Sequence, residues 1–368
     1  MFPIMNKKYC LVVKTGDAEL RAIQHSSSEV MKAIFPLVEL TRGRKLPSRK
    51  GRPDPVELYP FDKRLDLVKQ LFKGMDVALD ITTDERLING QIKELYNPSE
   101  GYKNWVTFLK EIQSQGIFNS ISPCVIIDAS DENLSDNLAN EVRSLSQAFD
   151  ELVYRSDIYD DFCYEDIELI QNNLNGKRLV IVIDCSYIIQ SSVNSYEAKV
   201  KARIDNLKKI LVGDTQIVVT GTSFPNNISE IGDDKSDTFS LCEVKLHESL
   251  KDGKIIYSDY GSINPVRNDT IVMARGWIPR IDVPLEEEVF YHRLRRPKNV
   301  TAYAETYSAV ADLVVKDSRF PHYLSANWGV NQIMKCSEGT SPSSQPNFWI
   351  SVRMCIHIET QLRRLKLL

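Results

Sequence analysis

The sequence predicts an α/β protein built as a single (β/α)8 barrel with a C-terminal extension. Three observations carry this expectation. Eight short apolar stretches alternate with longer amphipathic segments across residues 8–265, the rhythm of strand and crossover helix in such a barrel. Several stretches, above all Leu179-Val180-Ile181-Val182-Ile183, are continuously apolar, which suits a parallel sheet covered on both faces. The intervening segments are long enough for helical crossovers and too long for hairpins. An open doubly wound sheet explains the alternation equally well, but has no reason to stop at eight strands.

Taken in order, strands are expected at residues 10–14, 34–40, 76–81, 124–128, 151–155, 179–184, 216–220 and 254–258, the fifth having the weakest pattern. Helices are expected at 17–33, 61–73, 102–115, 134–149, 164–174, 196–211 and 239–250. In 196–211, Val200, Ile204, Leu207 and Leu211 recur at helical spacing. Residues 41–60 break the rhythm with Gly43, Pro47, Gly51, Pro53 and Pro55, and read as a long loop. Residues 266–368 form the extension, expected to pack on the barrel. Within it, 278–292 reads as extended structure or a hairpin, 301–316 as a helix, 337–346 as a loop and 347–368 as a closing helix.

Composition describes a folded globular chain: 368 residues, 42% hydrophobic, with 46 Lys plus Arg against 50 Asp plus Glu. The resulting charge of -4 gives no general attraction to nucleic acid or anionic lipid. No apolar run is long enough to cross a bilayer, so no membrane partner is expected. The first residues are too short and too broken by Pro3, Lys7 and Lys8 to read as a signal peptide. Seven cysteines include no Cys-x-x-Cys pair, and Cys10, Cys124 and Cys185 lie in apolar runs. Buried free thiols and a cytoplasmic location are therefore expected.

Ligands of parallel α/β folds bind at the carboxyl ends of the strands. Those positions hold Lys14, Glu39, Asp80, Asp128, Arg155, Asp184, Thr220 and Asp259. Converging carboxylates suit Mg²⁺ or Mn²⁺, with Glu39, Asp80 and Asp128 as the candidate metal set, or acid and base duties divided by unequal pKa values. The competing account makes each acid a helix cap or an ion-pair partner. Asp84 and Asp131 are better placed as caps than Asp80 and Asp128. Lys14 and Arg155 would balance the acids or contact an anionic group. Beyond the last barrel strand, Arg275 and Trp277 could hold a planar or anionic ligand, or Trp277 could anchor the extension. Arg42, Arg44, Lys45, Arg49, Lys50 and Arg52 form the candidate nucleic-acid contact. They could equally remain solvated or meet acids such as those in 150–166. Five scattered histidines give no zinc-hydrolase pattern, and no Walker A, Gly-x-Gly-x-x-Gly or Gly-x-Ser-x-Gly motif is present.

Val13-Lys14-Thr15-Gly16, Phe35-Pro36-Leu37-Val38-Glu39, Val77-Ala78-Leu79-Asp80, Ile127-Asp128 and Ile183-Asp184 recur in a pattern that resembles the phage and bacterial beta protein family. Arg275-Gly276-Trp277 and the run from Ala326 to Gln332 extend the resemblance over nearly the whole chain. It implies a single α/β barrel whose shared pocket is marked by Lys14, Glu39, Asp80, Asp128 and Asp184. It implies no specific reaction, and associates the chain with phage–host interaction or antiviral defence. This chain departs from the family pattern by lacking a proline before Lys14 and by inserting residues 42–54.

The leading expectation is a barrel that recognises a phosphate-bearing ligand, a nucleic-acid end or a protein partner. A metal-dependent phosphodiesterase or nuclease is the alternative, and a non-catalytic oligomeric scaffold the third. Oligomeric state and enzymatic status stay open at this point.

Overall fold

The computed structural model describes residues 9–47, 57–213, 215–226, 234–266, 277–298 and 302–368. Its principal sheet has eight parallel strands: β1 (Tyr9–Lys14), β2 (Phe35–Leu40), β3 (Asp76–Ile81), β4 (Ser120–Pro123), β5 (Glu151–Asp157), β6 (Arg178–Tyr187), β7 (Gln216–Thr222) and β9 (Ile256–Asp259). They lie in the order β4-β3-β2-β1-β9-β7-β6-β5. The two edges meet where Cys124 bridges Val153 in parallel and the Val125 amide donates to the Val153 carbonyl at 2.9 Å. The chain is therefore a (β/α)8 barrel. Alternation sorts its side chains: Cys10 and Val12 face inward with Leu37, Val180, Val182 and Val218, while Tyr9, Leu11 and Val13 face the helices.

The outer layer comprises α1 (Asp17–His25), α2 (Ser28–Ala33), α3 (Asp62–Leu71), α4 (Gly90–Leu95), α5 (Ser99–Ser114), α6 (Leu134–Ser146), α7 (Cys163–Asn173), α8 (Val193–Ile210) and α9 (Cys242–Leu250). The single helix expected at 17–33 is two. The Ser26 amide closes α1 on the Ile23 carbonyl, and the Ser27 hydroxyl accepts from Val30 to start α2.

The fourth strand differs from expectation. It occupies Ser120–Pro123, in register with Asp76 to Leu79, and not 124–128. Past Cys124 the apolar run leaves the sheet. Ile126 turns its amide to the buried Glu141 carboxylate of α6 at 3.1 Å, and Val125 and Ile126 are buried as packing side chains. A run of Val and Ile answers to burial as well as to strand pairing, and here pairing ends at Val125 and burial accounts for the rest.

A second, antiparallel sheet joins β10 (Arg280–Pro284) to β11 (Glu288–Arg293) as a hairpin, with β8 (Ser236–Ser240) on the other side of β11. β8 comes from the segment between β7 and α9, so the small sheet borrows a strand from the seventh barrel unit. Around it pack α10 (Ala304–Lys316), α11 (Trp328–Ser337) and α12 (Pro346–Arg364), with a core that includes Val283, Phe290, Tyr307 and Val352. α12 also lies along α1 and sends Met354, Cys355, Ile358 and Leu362 into the barrel's own outer core. Among the described residues no helix is long and apolar enough to cross a membrane. All seven cysteines are buried free thiols.

Polar groups fill the seam beneath α12. Asp259 accepts hydrogen bonds from Tyr9 Oη (2.8 Å), Tyr257 Oη (2.7 Å), the Gly261 amide (2.7 Å) and His357 Nε2 (2.8 Å). Arg353 pairs with Asp282 at 3.0 Å and lies 3.5 Å over the Phe224 ring. Nearby, Glu243 accepts from the Ser223 amide and hydroxyl at 2.8 and 2.6 Å. Burial, reinforced by Asp259, outweighs those bonds and pushes the Glu243 carboxyl up to about 7. A carboxyl whose folded pKa lies above its unfolded value contributes stability below the unfolded value, and that contribution is lost as pH rises toward 7. Glu243→Gln should therefore match the parent chain at pH 4 and exceed it by about 1–3 kcal/mol at pH 8. Urea unfolding at the two pH values checks this, and equal differences at both would contradict it.

Candidate binding site at the barrel mouth

The interior face of five strands ends in a charged residue because alternation carries it one step past the last apolar layer. Lys14 follows Val12, Glu39 follows Leu37, Asp80 follows Ala78, Arg155 follows Val153 and Asp184 follows Val182. Tyr260, just past β9, is buried in the same inner layer. The ladder registers Lys14 with Glu39, Glu39 with Asp80, and Asp184 with Thr220. These side chains, Thr220 excepted, line the floor of an open cavity of about 700 Å³ at the carboxyl end of the barrel.

Arg155 is the hub of that floor. Its Nε and Nη2 donate to Asp184 Oδ2 at 3.0 and 2.8 Å. Nη1 donates to Glu39 Oε2 at 3.0 Å and to Asp80 Oδ2 at 2.7 Å, and Nη2 also reaches Tyr260 Oη at 2.8 Å. The Tyr260 hydroxyl in turn donates to Asp184 Oδ2. Lys14 Nζ bridges Glu39 Oε1 at 3.0 Å and the Pro265 carbonyl at 2.9 Å. Beyond Asp184 the β6 ladder slips, and Ser186 takes a left-handed φ of 50° while its amide donates to Asp184 Oδ1 at 2.8 Å. A serine in that conformation is held by its surroundings, and here it orients a floor carboxylate.

The electrostatics divide the acids. Burial opposes ionisation of Glu39, but Arg155 and Lys14, helped by Thr82, hold its carboxyl down at about 2. Asp80 goes the other way: burial, together with the Glu39 charge, raises it despite Arg155. Burial also works against the guanidinium, yet Tyr260, Asp184, Glu39 and Asp80 keep Arg155 firmly protonated.

Other expected site residues lie elsewhere. Asp128 sits five residues past the end of β4, where its Oδ1 accepts from the Ser130 amide (2.9 Å) and hydroxyl (2.6 Å), away from the floor cluster. The four-residue displacement of β4 is the reason. Asp259 faces outward under α12 because it is one residue out of phase with Tyr260 and Ser258. Trp277 stacks on Tyr303 at 4.1 Å and 11°, a contact within the extension. Arg275 lies outside the described residues. Of the basic loop, Arg42 rests on the Tyr59 ring at 4.4 Å, Arg44 pairs with Asp17 at 2.6 Å and Lys45 is exposed. Arg49, Lys50 and Arg52 lie outside the described residues. Asp84 caps the short turn before α4 and pairs with Arg86, while Asp131 accepts from the Asn133 amide.

The Mg²⁺ or Mn²⁺ set does not fit. With Asp128 apart and a guanidinium between Glu39 and Asp80, the carboxylates share an arginine and not an ion. Among the described residues no group of three His, Cys, Asp or Glu could hold a metal. Sequence reasoning missed Tyr260, which the period-two continuation from Ile256 through Ser258 would have placed inside. It also missed the rim acids Asp157 and Asp160, which lie in an acid-rich segment it considered only as a charge complement.

No solved structure matches the chain. Among curated proteins it is similar to "Protein beta" of Enterobacteria phage P4, 25% identical over 97% of this chain and 93% of that protein. The family model described as Beta protein matches residues 9–363. With a match of that extent, joined to the barrel architecture, the chain belongs to the Beta protein family.

Proposed function

We propose that this chain is a ligand-recognising barrel working in the cytoplasm in phage–host interaction or antiviral defence, with its ligand seated in the barrel mouth. The observation that carries the reading is the meeting of Lys14, Glu39, Asp80, Arg155, Asp184 and Tyr260 from six strand ends on the floor of one open cavity. A cavity of this size with a few convergent polar groups is the ordinary form of a small-molecule site. The floor is already rigid, because Arg155 and Lys14 fix its carboxylates before any ligand arrives. Membership of a family with a phage relative supports the phage setting.

The scaffold reading draws on the same ion pairs, since every terminal nitrogen of Arg155 is satisfied within the chain. It leaves the open volume above them without a role. The two separate in a thermal-shift screen of charged and polar metabolites against the chain and Val266→Trp, which narrows the cavity from its exposed rim. Compounds that raise the melting temperature of the parent chain and not of the variant are expected. A screen in which nothing distinguishes the two favours the scaffold.

A further inference from the structure

We propose that the mouth binds a small molecule carrying an ammonium or guanidinium group on an alkyl stem. This rests on the reading of the mouth as a ligand site and specifies its ligand class. Charge is the first argument. Above the floor acids Glu39, Asp80 and Asp184, the cavity is also lined by Asp84, Glu85, Asp157 and Asp160, against Lys14, Arg86 and Arg155 as the bases among the described residues. A concave wall with that excess of carboxylates concentrates cations and repels phosphate.

Hydrogen bonding points the same way, independently of net charge. The bases are committed: Arg155 to Glu39, Asp80, Asp184 and Tyr260, Lys14 to Glu39 and Pro265, and Arg86 to Asp84. An incoming anion would have to break an existing pair to reach a cationic donor among the described residues. Acceptors, in contrast, remain. Asp157 uses Oδ1 for the Tyr159 amide at 2.8 Å, and its other oxygen accepts nothing among the described residues. Burial with Asp184 and Asp160 nearby raises the Asp157 carboxyl above its usual range, as expected where carboxylates outnumber cations.

Shape supplies the stem. One wall of the cavity is apolar, built from Ile81, Val125, Ile126, Ile127 and Val266. The run that left the sheet after β4 thus lines the mouth. A methylene chain lies against such a wall while its charged end reaches the acids.

Isothermal titration of the full chain with spermidine, agmatine and inorganic phosphate tests this, in parallel with Asp157→Asn/Asp160→Asn. Asparagine keeps the acceptors used by the Tyr159 and Phe162 amides, so the variant should fold, as circular dichroism and melting temperature will show. Expected are binding of an amine, weakening by raised salt, about tenfold or greater loss in the double variant and loss in Val266→Trp. Phosphate binding without amine binding would overturn the ligand class and leave the mouth reading standing. So would failure of both probes while the metabolite screen still finds mouth-dependent ligands. Failure of every probe and of the screen would overturn both.

Discussion

Replacing Arg155 with methionine should lower the unfolding free energy by about 3–5 kcal/mol at pH 7, the cost of stranding buried carboxylates without their counter-charge. The side chain holds three acids and a tyrosine hydroxyl from four different strand ends, and Glu39 among them is almost wholly buried. The loss should depend on pH with a definite sign. Glu39 now has a folded pKa of about 2, below its unfolded value, so it contributes stability above pH 4.5 that is lost as pH falls toward 2. Without the guanidinium that carboxyl titrates higher, the native state binds more protons, and the variant loses stability as pH rises. The difference from the parent chain should therefore shrink between pH 7 and pH 4. Adding Glu39→Gln, Asp80→Asn and Asp184→Asn to Arg155→Met should restore much of the loss, because the stranded charges disappear with their partner. Guanidinium unfolding across this pH range measures all three expectations. A loss below about 1 kcal/mol at pH 7 would show that water had replaced the arginine, and that the floor is not held by it.

Asp259→Ala should be comparably costly, at about 3–5 kcal/mol. Its carboxylate is fully buried and takes hydrogen bonds from Tyr9, Tyr257, Gly261 and His357. Alanine leaves two hydroxyls, an amide and an imidazole with no acceptor in a buried seam. Burial opposes its ionisation, but His357, Tyr257 and the Gly261 amide outweigh that and hold the carboxyl below its ordinary value. Asp259→Asn should be milder, since one oxygen remains to accept. The damage should be local before it is global: amide exchange in α12 should accelerate more than in β3 or β4, on the far side of the sheet order. Uniform acceleration would show instead that α12 and the barrel unfold as one unit.

The barrel was legible because its signal is crude and repeated. Runs such as Leu179 to Ile183 suit strands covered on both faces, and the spacing between runs favours parallel crossovers. The fourth strand was not legible. In Ser120-Ile121-Ser122-Pro123 only Ile121 is strongly apolar, while the Val125–Ile127 run that attracts notice is mouth wall. β8 was hidden for a related reason: Ser-Asp-Thr-Phe-Ser carries little apolar signal and pairs with a strand some fifty residues later. For the site, strand-end reading brought Lys14, Glu39, Asp80, Arg155 and Asp184 to one place, since their phase within each strand follows from apolar neighbours two residues before. Asp128 and Asp259 failed by phase and register, a displacement of four residues in one case and of one residue in the other. A one-residue slip sends a side chain to the opposite face, so a correct strand with an imprecise end still misplaces its last acid.

The borrowing of β8 by the β10–β11 hairpin bears on the order in which the molecule assembles. The segment between β7 and α9 finds its pairing partner only after residue 288 has been synthesised, and α1 receives α12 later still. A nascent chain with all eight barrel strands out of the ribosome would thus still hold an unpaired segment and an uncovered first helix. Such long-range closure slows maturation and lengthens exposure to aggregation, which makes chaperone dependence the expected cost of tying the barrel's seventh unit to the end of the chain.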